Sequence, residues 1–165
     1  MKADILLVRA GGTRAVVKDY SARSPFVRHW WGPWMLRREE RAYRALRGCA
    51  FAPQFYRRID GQALAVEYRP GEPLSRSMRG NLPASFLAEL SAAVDEMHSR
   101  GVVHLDLSHR SNVLADSAGH PIVLDFASAS TGSRSRGLAA RFRRILEAVD
   151  RRAVRKWQRK LGEPG

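Results

Sequence analysis

The chain is poor in the residues that staple or coordinate small domains. Cys49 is the sole cysteine among 165 residues, so no internal disulfide can form and a reducing compartment is expected. Its five histidines, His29, His98, His104, His109 and His120, lack the spacing of a zinc site. No apolar run approaches a membrane span. The opening MKADILLVRAGG is too short in its apolar part for a secretory signal. No internal repeat occurs, and low complexity is confined to a Ser-rich linker at 128–135. Acidic residues are also scarce, 16 against 29 Lys and Arg, which leaves a net charge of +13. These absences exclude a disulfide scaffold and a zinc module and leave no segment that approaches a membrane-spanning helix. A compact basic domain in the cytoplasm is expected, with the inner face of a membrane as a second place of residence.

What the chain does carry is concentrated in residues 101–129, GVVHLDLSHRSNVLADSAGHPIVLDFASA. Val102-Val103 is a β-prone pair leading into His104-Leu105-Asp106. Val113-Leu114 follows Asn112, Asp116-Ser117-Ala118-Gly119 reads as a turn, and Ile122-Val123-Leu124 ends at Asp125-Phe126-Ala127. Two carboxylates, Asp106 and Asp125, and the amide of Asn112 thereby emerge close together at strand ends. Hard oxygen donors of this kind suit Mg²⁺ bound to phosphate, and a spare carboxylate can take a proton from an attacking hydroxyl. The bland alternative is a β-hairpin in which the same residues only cap turns.

In order, spacing and strand context these residues resemble the catalytic and metal-binding loops of the protein-kinase-like superfamily, with HLD for HRD at 104–106 and DFA for DFG at 125–127. The resemblance implies that Asp106 is catalytic and that Asp125 and Asn112 bind Mg²⁺, or Mn²⁺, beside ATP. One departure is visible. The kinase pattern places Asn five residues after the Asp, whereas Asn112 lies six after Asp106 and Ser111 takes the expected slot. A one-residue bulge would bring Asn112 to the metal. His104 is expected to hydrogen-bond within the loop rather than to act as ligand or base.

Upstream the other kinase parts follow in order. Ile5-Leu6-Leu7-Val8 and Ala15-Val16-Val17-Lys18 flank Gly11-Gly12 and read as a hairpin. Lys18, at the end of an apolar strand, resembles the VAIK lysine that holds nucleotide phosphates. The segment MLRREERAYRALRG reads as a helix with Leu36, Tyr43 and Leu46 on one side and Gly48 as its stop. Glu39 or Glu40 could pair with Lys18, and likeness to the RExRA pattern of related sequences favours Glu39. Residues 51–74 look like two strands about an Asp60-Gly61 turn. They place Glu67 and Tyr68 where kinases have the hinge that binds adenine, and Gly71 to Leu74 resembles the GxxL that follows it. A helix is expected from about 83 to 99, with Phe86, Leu87, Leu90, Val94 and Met97 buried.

Two kinase features are not expected. Gly12 lies only six residues before Lys18, too close for a GxGxxG phosphate loop, and no Ala-Pro-Glu element follows Asp125. The chain is therefore similar to the atypical kinases of the RIO type and of the bacterial lipopolysaccharide-core type. Between Arg134 and Lys160 stand eleven basic and two acidic residues, a net +9. Leu138, Phe142, Ile145, Val149, Ala153 and Trp157 are expected to form the apolar stripe of that helix. Its basic faces would be simply solvated, or would contact anionic lipid or, less favoured, nucleic acid. Trp30, Trp31 and Trp34, beside Arg28 and His29, would pack within the N-terminal lobe or anchor at a membrane interface.

The expectation is a mixed α/β (α+β), reduced two-lobe kinase-like fold in one domain over 1–165. A small antiparallel N-lobe sheet would span about 1–68, a helical C-lobe about 69–133 and a basic helix about 137–161. The activity implied is transfer of the ATP γ-phosphate to a hydroxyl, on protein Ser/Thr or on a lipid-linked sugar. Lys18, Glu39 and Asp106 would be catalytic, and Lys18, Glu67, Tyr68, Asn112 and Asp125 would bind MgATP. The alternatives are a nucleotide-binding pseudokinase or scaffold, and a basic nucleic-acid-binding module.

Overall fold

The structure is a computed structural model, and it describes residues 3–132 and 138–162. The chain opens with β1 (Asp4–Ala10) and β2 (Thr13–Asp19), joined across Ala10 and Thr13 by the two-residue turn Gly11-Gly12. Both glycines have positive φ, 54° and 80°, the left-handed backbone that such a tight hairpin needs. A π-helical turn at Val27–Trp31 runs into α1 (Gly32–Ala45). The helix begins three residues earlier than the sequence pattern suggests, with Pro33 in its first turn, a position where the missing N–H costs nothing. β3 (Phe55–Arg58) and β4 (Ala63–Glu67) complete an antiparallel sheet of order β1-β2-β4-β3.

Leu36, Glu39, Ala42 and Tyr43 are the inward face of α1, spaced three and four apart as one helical stripe requires. A carboxylate is therefore carried into the interior by the same periodicity that buries Leu36 and Tyr43. The tryptophans are divided. Trp30 is largely exposed, while Trp31 packs on the core and lies 5.3 Å from the Trp34 ring. Arg38 stacks on Trp34 at 4.6 Å.

Beyond β4 the chain forms β5 (Glu72–Pro73), a 3-10 turn at Arg76–Met78 and α2 (Phe86–Ser99). Phe86, Leu90, Val94 and Met97 are buried as expected, whereas Leu87 is only half-buried. β6 (Val102–Val103) leads to the loop bearing Asp106, a 3-10 turn at Arg110–Asn112 leads to β7 (Val113–Ala115), and β8 (Pro121–Val123) returns to Asp125. β5, β7 and β8 form one small sheet. β9 (Ser130–Thr131) pairs with β6. α3 (Leu138–Leu161) closes the chain. The Ser-rich linker falls partly, and Arg134 and Arg136 fall wholly, outside the described residues.

One sequence expectation is overturned on α3. Ala153 and Trp157 are buried, but Phe142, Ile145 and Val149 are exposed at 63%, 64% and 41%. The inward face instead runs through Arg143, Glu147, Asp150, Val154, Trp157 and Leu161. Arg143 binds Glu147 and donates to the carbonyls of Gly132 and His98 at 2.8 and 2.7 Å. These polar contacts fix the rotation of the helix and leave the apolar trio outside.

Gly101, with φ of 86°, turns α2 into β6, and a Cβ there would lie 2.5 Å from the carbonyl oxygen of Gly132. Gly101→Ala should therefore lower the unfolding free energy by about 1–3 kcal/mol, read by urea denaturation. Wild-type stability would contradict this backbone approach.

Candidate active site

Lys18 is the penultimate residue of the inner strand β2, opposite Leu64 of β4. Its Nζ bonds Glu39 of α1 and, at 2.8 Å, Oδ1 of Asp125. Glu40 points elsewhere and pairs with Arg44 and Arg58, so geometry selects Glu39 as the Lys18 partner. Burial pulls the Lys18 ammonium towards neutrality, but the negative charges of Glu39 and Asp125 and the hydrogen bond to Asp125 outweigh it and raise the pKa above the ordinary lysine value. Lys18 is thus held as a cation. Burial pushes the Glu39 carboxyl up, only partly offset by Lys18, with repulsion from Asp125 acting in the same direction as burial. Burial also pushes Asp125 up, yet attraction and hydrogen bonding from Lys18 more than compensate and leave its carboxyl below the usual range. Lys18 thus stands as a cation between two carboxylates.

The loop after β6 is held from beneath. His104 is buried; its Nε2 donates to the Leu124 carbonyl at 2.9 Å, and its Nδ1 is approached by the amide of Asp106 at 3.3 Å. Burial holds the imidazole below its ordinary pKa, which fits a neutral, hydrogen-bonding ring. The Asn112 amide donates to both the carbonyl and Oδ2 of Asp106, each at 2.9 Å. The extra residue before Asn112 is absorbed in the 3-10 turn Arg110–Asn112, which buries Asn112 and leaves Ser111 exposed beside it. Ser111 Oγ contacts Asn112 Oδ1 at 3.3 Å and His109 Nδ1 at 2.7 Å.

Asp125 has φ of 63° and Leu105 φ of 70°, the two positive-φ residues other than glycine among the described residues. Strained backbone of this kind concentrates at functional sites because packing must enforce it. Phe126 supplies that packing: it is fully buried, edge-on to Tyr43 of α1 and 5.0 Å from both Tyr43 and His104. Arg38, next to Glu39, donates to the carbonyls of Ser128 and Ala129 at 2.7 and 3.0 Å. α1 is therefore bound to the segment that follows Asp125.

Asp150 is the residue that sequence reading missed. Fully buried on α3, it accepts from His98 Nε2 at 3.0 Å and from the backbone amides of His104 and Leu105, each at 2.8 Å. It fixes the backbone on which Asp106 is mounted. An acid in a helix of nine basic and two acidic residues reads as a solvated counter-charge; only its phase with Val154, Trp157 and Leu161 marks it as inward.

The hinge candidates are placed at the exit of β4, with their amide hydrogens already engaged. Glu67 N–H donates to Gln54 O at 2.8 Å and Tyr68 N–H to Arg14 O at 3.2 Å, while Arg14 stacks on the Tyr68 ring. The ladder to β2 runs one residue past Glu67 and takes the Tyr68 donor, while the segment leading into β3 takes that of Glu67. As possible metal ligands, Asp125 and the Asn112 carbonyl oxygen fit Mg²⁺, which takes few protein oxygens and completes its shell with phosphate and water.

Comparison with known proteins bears on the fold. The Rio2 kinase from Chaetomium thermophilum matches with a TM-score of 0.72 at 18% identity, over 99% of this chain and 57% of that one. A Rio2 kinase-ADP/Mg²⁺-phosphoaspartate complex from the same organism matches with a TM-score of 0.70 at 18% identity, over 99% and 56%. The serine/threonine-protein kinase RIM15 of Saccharomyces cerevisiae is 37% identical over 79 residues, 44% of this chain and 4% of RIM15. Human Citron Rho-interacting kinase is 38% identical over 74 residues, 41% of this chain and 4% of that protein. The chain thus spans a small fraction of these curated relatives and little more than half of the Rio2 chain. No family model matches it.

Asp150→Ala should cost about 3–5 kcal/mol in urea denaturation, because two loop amides and His98 lose their acceptor together. A loss below about 1 kcal/mol would show that the loop is held by other contacts. Asp150→Asn, which keeps one acceptor oxygen, should fall between. Taken with the superpositions, the sheet, the α1 glutamate on Lys18 and the two polar loops give this chain a reduced protein-kinase-like fold that resembles the RIO-type kinases.

Proposed function

We propose that this chain is an ATP-dependent phosphotransferase that moves the γ-phosphate to a hydroxyl acceptor. The observation that carries the reading is the half-buried Lys18 cation bridged to Glu39 and Asp125, with Asp106 and Asn112 joined by hydrogen bonds on the adjoining loop. Lys18 takes the negative charge of the phosphates, and Glu39 keeps it extended from the sheet. Asp125 and the side-chain amide oxygen of Asn112 would hold Mg²⁺, which would supply positive charge against the charge of the transferring group. Asn112 fixes Asp106 through Oδ2, so Oδ1 is offered to the acceptor. Asp106 orients the hydroxyl and receives its proton as the oxygen forms its bond to phosphorus and the bond to ADP breaks. Catalysis is positioning and electrostatics. At the hinge, adenine contact from Glu67 and Tyr68 falls to their carbonyl oxygens.

A second reading, a nucleotide-binding pseudokinase or scaffold, is favoured by one observation. Among the described residues the sheet offers only the tight Gly11-Gly12 turn above Lys18, with no glycine-rich loop to cover phosphates. The nucleic-acid reading rests on charge alone. A reducing, cytoplasmic location fits the single Cys49, whose thiol is pushed up to about 11 by burial and by its Glu96 partner and so stays unreactive.

Asp106→Asn should lower ATP turnover by about 10²–10⁴-fold and spare nucleotide binding. Asp125→Ala should abolish Mg²⁺-dependent binding, with Asn112→Ala milder and Ser111→Ala milder still. Turnover assays and calorimetry separate these. Wild-type turnover in Asp106→Asn would overturn the assignment, and a larger loss at Ser111 than at Asn112 would overturn the choice of metal-side residue. A wild-type protein that binds MgATP without turnover would favour the pseudokinase.

A further inference from the structure

The apolar trio that α3 leaves outside has a definite setting. Phe142, Ile145 and Val149 lie at spacings of three and four residues on a helix of 24 residues, and so share one exposed face. Around the helix from them, on the adjoining exposed arc, are Arg141, Arg144, Arg152 and Arg155. No described carboxylate lies within 4 Å of any of these four guanidinium groups. The acids of α3 are both spent inward, Glu147 on Arg143 and Asp150 on the loop amides. The outer surface is thus an apolar ridge bordered by uncompensated positive charge.

Towards the C-terminal end the same face closes into a groove of 390 Å³. Val149, Arg152, Lys156 and Arg159 of α3 line one wall, and Leu105, Leu107 and Ser108 of the Asp106 loop line the other. Lys156 Nζ donates to the Ser108 carbonyl at 3.2 Å, and Trp157 Nε1 donates to the Leu107 carbonyl at 2.9 Å. Lys160 stacks on Trp157, and its pKa is lowered by partial desolvation and by the neighbouring charges of Lys156 and Arg76. Cations therefore crowd around the loop that carries Asp106.

We propose that the exposed face of α3 is a peripheral docking surface for an anionic lipid bilayer, with Phe142, Ile145 and Val149 entering the headgroup region and the flanking arginines meeting lipid phosphates. A helix with an apolar face and a strongly basic border is the form that lies in the plane of a membrane interface. Nucleic acid would use the arginines but gain nothing from three aliphatic and aromatic side chains facing water. No described helix is long and apolar enough to cross a membrane, so the attachment is superficial and reversible. Because the Asp106 loop forms the far wall of the groove, docking sets that loop close to the lipid plane. On the phosphotransfer reading, the acceptor hydroxyl then belongs to a lipid-linked molecule.

Cosedimentation with vesicles of phosphatidylglycerol and phosphatidylcholine, against pure phosphatidylcholine, tests this with the whole chain. Wild type should bind the anionic vesicles at least tenfold better than the neutral ones, and binding should weaken as salt rises. Two surface variants should each lose more than tenfold: Phe142→Ser with Ile145→Ser, and Arg141, Arg144, Arg152 and Arg155 all to Gln. All six positions are exposed, so circular dichroism and the unfolding midpoint should be unchanged, and neither variant touches Lys18, Asp106 or Asp125. Absence of wild-type binding, or full binding by the serine variant, would overturn the proposal; binding to RNA of equal charge with no preference for vesicles would do the same. ATP-induced thermal stabilisation, measured alongside, reports separately on the phosphotransfer reading.

Discussion

The Lys18 ammonium is the interaction on which the architecture turns. A cation largely withdrawn from water is tolerated only when paired, and Lys18, half-buried, has two partners from two different elements, Glu39 of α1 and Asp125 beyond β8. Satisfying it requires that the helix be docked, that the sheet present the end of β2, and that Asp125 take up its left-handed backbone. Removing any one leaves charge without compensation. Phe126 and Arg38 then lock the arrangement from either side, the first by packing on Tyr43 and His104 and the second by hydrogen bonds to the Ser128 and Ala129 carbonyls. The active-site arrangement and the hydrophobic core are a single construction here.

A second anchor, Asp150, plays the same part for the loop of Asp106. Both anchors put a carboxylate in the interior, and both spend it on chain segments distant in sequence. Together they let a chain of 165 residues hold two polar loops in fixed relation with only three α-helices among its described residues. The RIO-type likeness, a TM-score of 0.72 at 18% identity, is one of fold rather than of sequence.

Much of the fold and of the candidate site was legible in the sequence because local rules and a linear motif agree. Lys18, Asp106, Asn112 and Asp125 stand at strand ends that alternation and turn residues mark, and α1 announces itself through Leu36, Tyr43 and the stop at Gly48. The choice of Glu39 over Glu40 needed the likeness as well as the pattern, and the structure carries it because Glu39 shares the face of Leu36 and Tyr43. The rest was hidden for physical reasons. Helix α3 contains two apolar periods, and hydrophobicity alone chooses the wrong one. Its rotation is decided by Asp150 and Arg143, whose value lies in long-range hydrogen bonds to His104, Leu105, His98 and Gly132 that no spacing rule encodes. The engaged amides of Glu67 and Tyr68 were equally invisible, since they depend on where the pairing of β4 with its two neighbours, β3 and β2, ends.

The account stands on Lys18, Glu39 and Asp125 being a phosphate and metal site rather than a structural ion-pair cluster. Calorimetric titration of ATP into wild type and Lys18→Met, with and without Mg²⁺, measures this directly. Heat of binding that requires Mg²⁺ in wild type and disappears in a folded Lys18→Met protein is the predicted result. No Mg²⁺-dependent binding to wild type, or equal binding by Lys18→Met, would contradict it.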